Sequence, residues 1–370
     1  MNVKILQENL AYGLNLAERF ISPRPQLPIL NNFLFTTDQG KLKISATNLD
    51  LGIILWLGGV VEKEGSLAIP AHEITEFVSF LPAGEISLEG ETTNLKIISS
   101  KAEAIFTGAN PQDFPQIPQG EEKTSFSLNC QQLSLAVSQV SFAATIDEAR
   151  PVLEGILWRF DNQGYQMVAT DGYRLSLKKI KEKFPFFEKE ISFLVPGRSL
   201  VELVRLVQEE QLKVSWDKQQ SQLVFILPNL RLSSRLLSGD FPDYQRIIPQ
   251  ETKIEAFVDK EELLSAIKIA SVFARQAANV IILHFNNDQL EIKTEAAQVG
   301  QNKTVIPARF QGEEIKIAFN YRFLLDFLNS IDKNQAEVVI KINDPLSPVL
   351  FAVNNDPSLV HLIMPIRTEG

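Results

Sequence analysis

The amino-acid sequence predicts an α+β protein made of three pseudo-repeated domains, each with two amphipathic helices packed on antiparallel sheet. The chain has 370 residues, which exceeds the size of a single core and suits two to four domains. A pattern of strand, helix, strands, helix and strands occurs three times along it. Short polar and charged stretches separate the copies, near Gln119–Lys123 and Pro249–Lys253. We therefore expect domains at residues 1–121, 122–250 and 251–370.

Each third opens with a strand and then a helix whose apolar residues recur at helical spacing. The three sets are Leu10, Leu14, Ala17 and Phe20; Leu133, Val137 and Val140; and Leu263, Ile267, Ala270 and Phe273. Because this spacing places each set on one helix face, we expect that face to be buried against a sheet.

A second helix is predicted in each third, starting at Pro70, Pro196 and Asn320, which are residue types suited to a helix N-terminus. Its apolar sets are Ile74, Phe77, Val78 and Leu81; Leu200, Leu203, Val204 and Val207; and Leu324, Phe327, Leu328 and Ile331. The first two thirds also share short motifs, since Ala46-Thr47-Asn48 matches Ala169-Thr170-Asp171 and Asp113-Phe114-Pro115 matches Asp240-Phe241-Pro242. Several independent anchors thus agree on one repeat.

The composition is that of an ordinary folded protein, with 45% hydrophobic and 22% charged residues. The longest apolar run, Leu49–Val61, is interrupted by Asp50 and is too short to cross a bilayer, so we expect no membrane partner. We expect no secretory leader, and the single cysteine, Cys130, cannot form an internal disulfide; both points favour the cytoplasm. The three histidines fit no metal-ligand spacing, so we expect no metal or other cofactor.

The charge and the motifs narrow the function without fixing it. A net charge of −9 argues against a protein that coats DNA through bulk positive charge, although it does not exclude a local basic surface. Motifs for phosphate binding, dinucleotide binding, zinc proteolysis or a nucleophile elbow are missing from the sequence. Three classes remain: a nucleic-acid-binding protein, a peptide-binding hub that does not close around DNA, and an enzyme such as a carbohydrate hydrolase with paired acids.

Four segments carry a family resemblance: Arg24–Leu30, Ala169–Leu175, Gly239–Tyr244 and Ile363–Arg367. Together they resemble the bacterial DNA polymerase III beta subunits, the sliding-clamp family, and the similarity runs in order over the whole chain. The resemblance implies the DNA clamp fold, in which two copies join head to tail into a closed ring with helices lining the hole. It also implies a non-catalytic processivity factor that encircles duplex DNA and tethers the replicative polymerase.

The resemblance implies a peptide-binding groove between the second third and the C-terminal segment. Its positions in this sequence are Leu153, Thr170, Gly172, Tyr173, Arg174, Leu175, Pro242, Arg246, Ile247, Leu362, Met364, Pro365, Ile366 and Arg367. Apolar residues would form the floor and arginines at the rim would bind peptide acceptors. Without the resemblance, Leu153, Leu175 and Ile247 are interpreted as ordinary core residues.

The groove positions depart from the family pattern in two places, and the tail is longer. Tyr173 stands where a histidine is common, and Ile366 stands where a methionine is common. The tail Thr368-Glu369-Gly370 extends beyond the usual end. The substitutions are expected to retune peptide preference without abolishing the groove.

Contacts with DNA and with a second copy are also implied. Arg24, Arg150, Arg198 and Arg205 match family positions near DNA, and Lys268, Arg275 and Arg322 are added because they lie on predicted helices. For the dimer interface the matching positions are Leu81, Phe106, Val272 and Phe273, with Glu291 and Glu295 expected to face Lys101. Leu81 and Phe273 also fit apolar stripes within their own domains. The remaining implied partners are a clamp loader and other proteins with clamp-binding motifs.

Overall fold

The computed structural model describes residues 1–121, 125–145, 147, 149–184, 187, 189–217, 221–249, 251–286, 288–332 and 337–367. Residues 122, 123 and 250 at the two expected boundaries, and the tail Thr368-Glu369-Gly370, lie outside the described residues. Among the residues that are described, no helix combines the length and apolar content needed to cross a membrane.

Six α-helices occur in the described part of the chain, two in each third. They are α1 Gln7–Glu18, α2 Ala71–Phe80, α3 Cys130–Val140, α4 Gly197–Leu206, α5 Lys260–Ala274 and α6 Tyr321–Ser330. The second helix of each third therefore begins one residue after the predicted start, because Pro70 and Asn320 occupy the N-cap position. The Asn320 side chain accepts a hydrogen bond from the Arg322 backbone N–H at 3.0 Å, which satisfies one of the open donors at the start of α6.

The predicted apolar stripes are largely buried. Leu10, Leu14 and Ala17 of α1 have no exposed surface, and Phe20 is equally buried although it follows the end of the helix. Phe273 differs from the prediction, since it is half-buried near the end of α5. Its ring lies beside Gly300.

The strands are β1 Asn2–Leu6, β2 Asn32–Asp38, β3 Lys41–Thr47, β4 Leu51–Leu57, β5 Val60–Lys63, β6 Ser66–Pro70, β7 Glu85–Glu91, β8 Asn94–Ile98, β9 Glu103–Thr107, β10 Ser125–Asn129, β11 Gly155–Phe160, β12 Gly164–Thr170, β13 Arg174–Lys181, β14 Ile191–Pro196, β15 Gln211–Asp217, β16 Gln222–Leu227, β17 Leu230–Arg235, β18 Ile254–Asp259, β19 Val280–Asn286, β20 Gln289–Ala296, β21 Gly300–Pro307, β22 Arg309–Gln311, β23 Ile315–Asn320, β24 Glu337–Ile342, β25 Val349–Val353 and β26 Asp356–Ile363. All of their pairings are antiparallel.

The first compact unit consists of Met1–Cys130 and Arg205–Leu236. It contains a five-stranded sheet in the order β5-β1-β7-β8-β9 and an eight-stranded sheet in the order β10-β15-β16-β17-β4-β3-β2-β6. In the larger sheet β17 pairs with β4, with Leu232 opposite Ile53. Strands from the second third of the sequence thus extend the sheet of the first third.

The second compact unit consists of Gln131–Val204 and Leu237–Gly370. Its nine-stranded sheet has the order β14-β11-β12-β13-β26-β25-β24-β18-β22, and its four-stranded sheet the order β21-β20-β19-β23. Here β13 pairs with β26, with Leu175 opposite Leu362. The larger sheets are therefore shared between successive thirds of the chain, an arrangement that the periodicity of the sequence does not predict.

Candidate functional site

The turn between β12 and β13 is fixed by hydrogen bonds from its own side chains. The Thr170 hydroxyl donates to the Arg174 carbonyl at 2.6 Å and accepts from the Gly172 N–H at 3.1 Å. The Asp171 carboxylate accepts from the backbone N–H groups of Tyr173 at 2.8 Å and Arg174 at 2.9 Å. Short Thr and Asp side chains are therefore needed at these places, because they replace backbone partners that the turn lacks.

Gly172 suits the backbone of this turn. Its φ of 92° lies in the left-handed region, which strains residues that carry a Cβ. A Cβ at this position would also lie 3.0 Å from Nη1 of Arg150. The resemblance assigns Arg150 to DNA, and the structure places its guanidinium beside the predicted groove turn.

The C-terminal segment joins this turn through the backbone. Arg174 pairs with Ile363 at the end of β26, and the Met364 N–H then donates to the Tyr173 carbonyl at 2.8 Å. Two residues later the Ile366 N–H donates to the Ala318 carbonyl at 2.8 Å. The structure thus brings together the turn and the C-terminal residues that the resemblance grouped.

A buried apolar cluster forms the floor beneath the turn. Leu175, Leu362 and Tyr244 belong to one cluster and are only 2–3% exposed. Phe241 and Ile248 of the connecting segment pack against it. The Tyr244 hydroxyl accepts a hydrogen bond from the Gln166 side chain at 2.9 Å, which satisfies its polar end.

Three large apolar side chains of the predicted groove are open to solvent. Tyr173 is 63% exposed, Ile247 44% and Met364 37%. Pro242 is exposed as well, and Pro365 and Ile366 are half-buried. Leu153 is buried, as the core interpretation expects, whereas Ile247 is not. Exposed apolar side chains on a rigid frame suit an apolar peptide segment.

The arginines of the predicted rim differ in their surroundings. Arg246 is exposed and forms an ion pair with Asp243 at 2.7 Å, and Arg367 is exposed too. Arg174, the third arginine expected at the rim, lies deeper, since its side chain is only 10% exposed. Its Nη1 bonds Asp326 Oδ2 and its Nη2 bonds the Phe142 carbonyl, both at 2.5 Å. Both terminal nitrogens of its guanidinium therefore donate hydrogen bonds within the protein.

His361 is buried below Arg174 without polar partners. Neither ring nitrogen has a hydrogen-bond partner among the described residues. The ring stacks on Phe327 of α6 with a centroid distance of 5.0 Å. Burial, and to a smaller degree the charge of Arg174, lowers the pKa of His361 to about 3. The imidazole is thus neutral at physiological pH.

The seven basic residues predicted to face DNA are all exposed: Arg24, Arg150, Arg198, Arg205, Lys268, Arg275 and Arg322. Five of them lie on or directly after α4, α5 and α6. Arg150 also forms an ion pair with Asp147 at 2.9 Å, which lowers the pKa of that carboxyl group. The helices of the first third are different, since α2 exposes Glu73 and Glu76.

The predicted interface residues fall into two groups. Leu81 is buried in its own unit, and Phe106 is half-buried against Phe77 with a ring distance of 5.5 Å. Val272 is 59% exposed, and Phe273 is half-buried. Leu81 and Phe106 belong to the first unit, in which β9 is an edge strand. Val272 and Phe273 belong to the second unit, in which β21 is an edge strand.

Glu291, expected to face Lys101 across the interface, forms ion pairs within its own unit. Lys293, Lys303 and His284 of its own unit surround its carboxylate. Hydrogen bonds from the two lysines lower the pKa of Glu291 to about 2. Glu295 and Lys101 are exposed.

Sequence reasoning missed Asp326, Phe142 and Phe323, which surround Arg174. The Arg174 guanidinium carbon lies 4.5 Å from the Phe323 ring centre and 5.5 Å from that of Phe142. Asp326 is separated from Arg174 by 152 residues of sequence. No local signal in the sequence connects them.

Three models of one protein family together match most of the chain. They are the DNA polymerase III beta subunit N-terminal domain over residues 1–118, its central domain over 127–243 and its C-terminal domain over 245–367. A protein from Synechococcus elongatus named Beta sliding clamp is 30% identical over 100% of both chains. The crystal structure of the DNA polymerase sliding clamp from Bacillus subtilis has a TM-score of 0.93 at 28% identity, covering 100% of this chain and 99% of that one. The DNA polymerase III beta subunit structure from Thermotoga maritima has a TM-score of 0.89 at 25% identity, covering 99% of each.

Proposed function

The chain belongs to the DNA polymerase III beta subunit family, and from that membership we propose that two copies of it close into a ring around duplex DNA. It is a sliding clamp, a non-catalytic processivity factor of DNA polymerase. Separate surfaces of this chain would face DNA, hold partner peptides and meet the second copy. The cytoplasm is the proposed location, in keeping with Cys130, a buried thiol whose pKa burial raises to about 11.

The groove is where polymerase and clamp loader bind, through short peptide segments. The observation that carries this assignment is the set of exposed side chains of Tyr173, Ile247 and Met364 beside a floor that contains Leu175 and Leu362. An apolar peptide side chain removes their surface from water at about 25 cal/mol per Å². A partner held in this way stays near the template after it lets go, because the ring remains threaded on DNA.

DNA is contacted through phosphate charges rather than bases. Exposed arginine and lysine side chains on α4, α5 and α6 can approach phosphates at any sequence. The net charge of −9 makes the rest of the surface unfavourable for DNA. Weak contacts suffice for a closed ring, since its topology prevents release.

The ring is closed by pairing of the open sheet edges. The strand β9 ends the five-stranded sheet and β21 ends the four-stranded sheet, and each carries an exposed apolar residue, Ile105 at 64% and Val305 at 45%. An open edge with apolar side chains favours pairing with another strand. Because β9 belongs to the first third and β21 to the last, their pairing between two copies is head to tail.

The test is retention on nicked circular DNA compared with the same DNA after linearisation, with the clamp loaded by a cognate loader. A sliding ring stays on the circle and leaves the linear form through its ends. Equal loss from both forms would contradict topological linkage. A protein that remains monomeric at micromolar concentration but still binds peptide would support the hub instead.

A further inference from the structure

Arg174 links the groove turn to two elements outside it. Its Nε bonds Asp171 in the turn at 3.0 Å, its Nη1 bonds Asp326 on α6 at 2.5 Å, and its Nη2 bonds the Phe142 carbonyl at 2.5 Å. These are charge-assisted hydrogen bonds, which are stronger than neutral ones. One side chain therefore holds the turn, α6 and the segment after α3 together.

Aromatic rings enclose the same guanidinium. Phe323 of α6 lies 4.5 Å from it and Phe142 lies 5.5 Å from it, measured from the guanidinium carbon to the ring centres. A planar guanidinium packs flat against aromatic faces, whereas a lysine ammonium does not. Arg174 is thus fixed from several directions and is not available to a peptide without breaking these contacts.

The first unit contains the same turn without an arginine. There the Thr47 hydroxyl donates to the Leu51 carbonyl at 3.0 Å and accepts from the Leu49 N–H at 3.0 Å, and Asn48 accepts from the Leu51 N–H at 2.8 Å. The next strand also joins it in the same way, since the Arg235 N–H donates to the Asp50 carbonyl at 2.8 Å.

Leu51 occupies the position of Arg174 in this equivalent turn. The turn forms there with the same hydrogen bonds, so its backbone does not depend on an arginine. Arg174 must then contribute something else, and the contacts above identify it as attachment of the turn to α6 and to Phe142.

We propose that Asp326 is a positioning residue of the peptide groove, which acts through Arg174 and does not touch the peptide. By holding Arg174, it fixes the turn that presents Tyr173 and that receives Met364 through the Tyr173 carbonyl. A loosely held turn must be ordered when the peptide binds, and that cost weakens binding. This inference rests on the proposed function, because it concerns the same groove.

The experiment compares Asp326→Asn and Asp326→Glu with the wild-type protein. The probe is a fluorescent peptide that carries the clamp-binding motif of a replicative polymerase. The Asp326 side chain is 42% exposed, so we expect a moderate effect, about fivefold weaker binding in Asp326→Asn. Asp326→Glu should recover most of the affinity, because it restores the charge. DNA retention should be unchanged in both.

A second measurement separates positioning from general stability. Hydrogen exchange of the backbone amides should speed up in the turn 171–174 of Asp326→Asn and stay unchanged in the equivalent turn 48–51. The matched control is Glu255→Gln. It removes a half-exposed ion pair, in which Glu255 Oε1 lies 2.8 Å from Lys341 Nζ, between β18 and β24 of the nine-stranded sheet that also contains β12 and β13. It should alter neither peptide affinity nor exchange in either turn.

The outcomes are distinct. Wild-type protein that does not bind the peptide overturns the proposed function and this inference with it. If the wild-type protein binds and Asp326→Asn binds equally well, only the role of Asp326 is overturned. Equal acceleration of exchange in both turns would show that Asp326 supports the fold as a whole, which also overturns the inference.

Discussion

A chain that ends at Ile363 should keep its fold and lose peptide binding. The strand β26 ends at this residue, so its pairs with β13 and β25 all remain. The truncation removes two backbone hydrogen bonds, from Met364 to Tyr173 and from Ile366 to Ala318, each of 2.8 Å. It also removes four residues assigned to the groove.

The cost in stability follows from these contacts. Each hydrogen bond contributes about 1 kcal/mol net. The half-buried side chains of Pro365 and Ile366 add roughly 1–2 kcal/mol. The sum, about 3–4 kcal/mol, is below the stability of about 5–15 kcal/mol typical of a folded domain. Peptide affinity, in contrast, should fall at least about 100-fold, because one wall of the groove is gone.

Fluorescence anisotropy with a labelled clamp-binding peptide measures the affinity, and size-exclusion chromatography checks the dimer. The matched control removes only residues 368–370 and should bind as the full chain does. Normal peptide binding by the chain ending at Ile363 would refute the placement of the groove. If that chain fails to fold, Met364→Asp tests the same wall with both hydrogen bonds in place.

Four further outcomes are expected. Reversing the charges of Arg198, Lys268 and Arg322 should shorten the lifetime of the clamp on nicked circular DNA at low salt, whereas the same reversal of the exposed strand residues Lys179, Lys181 and Lys316 should not. Ile105→Lys on β9 should weaken the dimer at least about tenfold in analytical ultracentrifugation, while Val60→Lys, 62% exposed on the opposite edge strand of that sheet, leaves it intact. The pKa of His361 is lowered to about 3, so the unfolded chain binds a proton at higher pH than the folded chain, and the free energy of unfolding falls as the pH drops below about 6.5. Between pH 7.5 and 5, His361→Phe should therefore lose about 2 kcal/mol less free energy of unfolding than the wild type. An equal loss in both proteins would contradict this. Calorimetry should find one peptide bound per chain, and a second equal site would contradict the difference between the two turns.

The sequence predicts the elements of this fold better than their partners. Helix starts could be predicted to within one residue, because Pro70, Pro196 and Asn320 are local signals that a helix N-terminus requires. The pairing of β17 with β4 and of β13 with β26 could not, since alternation of apolar residues identifies a strand without naming its neighbour. Only the three-dimensional structure shows that two sheets join successive thirds of the chain.

The groove was predictable only where its chemistry is local. The resemblance supplied Thr170, Gly172 and Met364, and the hydrogen bonds of the turn explain why a side chain with a hydroxyl group stands at position 170. It also placed Arg174 in the groove, and the structure adds contacts of this side chain to Asp326 and Phe142. A role that depends on a partner 152 residues away has no signature in the surrounding sequence.

The two equivalent turns share a backbone frame but differ in the side chains at the positions of the proposed groove. Both turns have a residue with positive φ, Leu49 at 79° and Gly172 at 92°, and both receive the following strand through the same backbone bond. The pair of floor positions in the second turn is Leu175 and Leu362, and the corresponding pair in the first is Gly52 and Ser233.

The rim positions, like the floor positions, carry large apolar side chains in the second turn but not in the first. The exposed Tyr173 and Met364 correspond to Asp50 and Arg235, whose charged ends prefer water to an apolar peptide. The shared backbone geometry therefore does not by itself supply the apolar surface of the proposed groove. Apolar side chains at the four positions, together with the attachment of the turn through Arg174, distinguish the junction proposed to bind peptide from the one that joins strands.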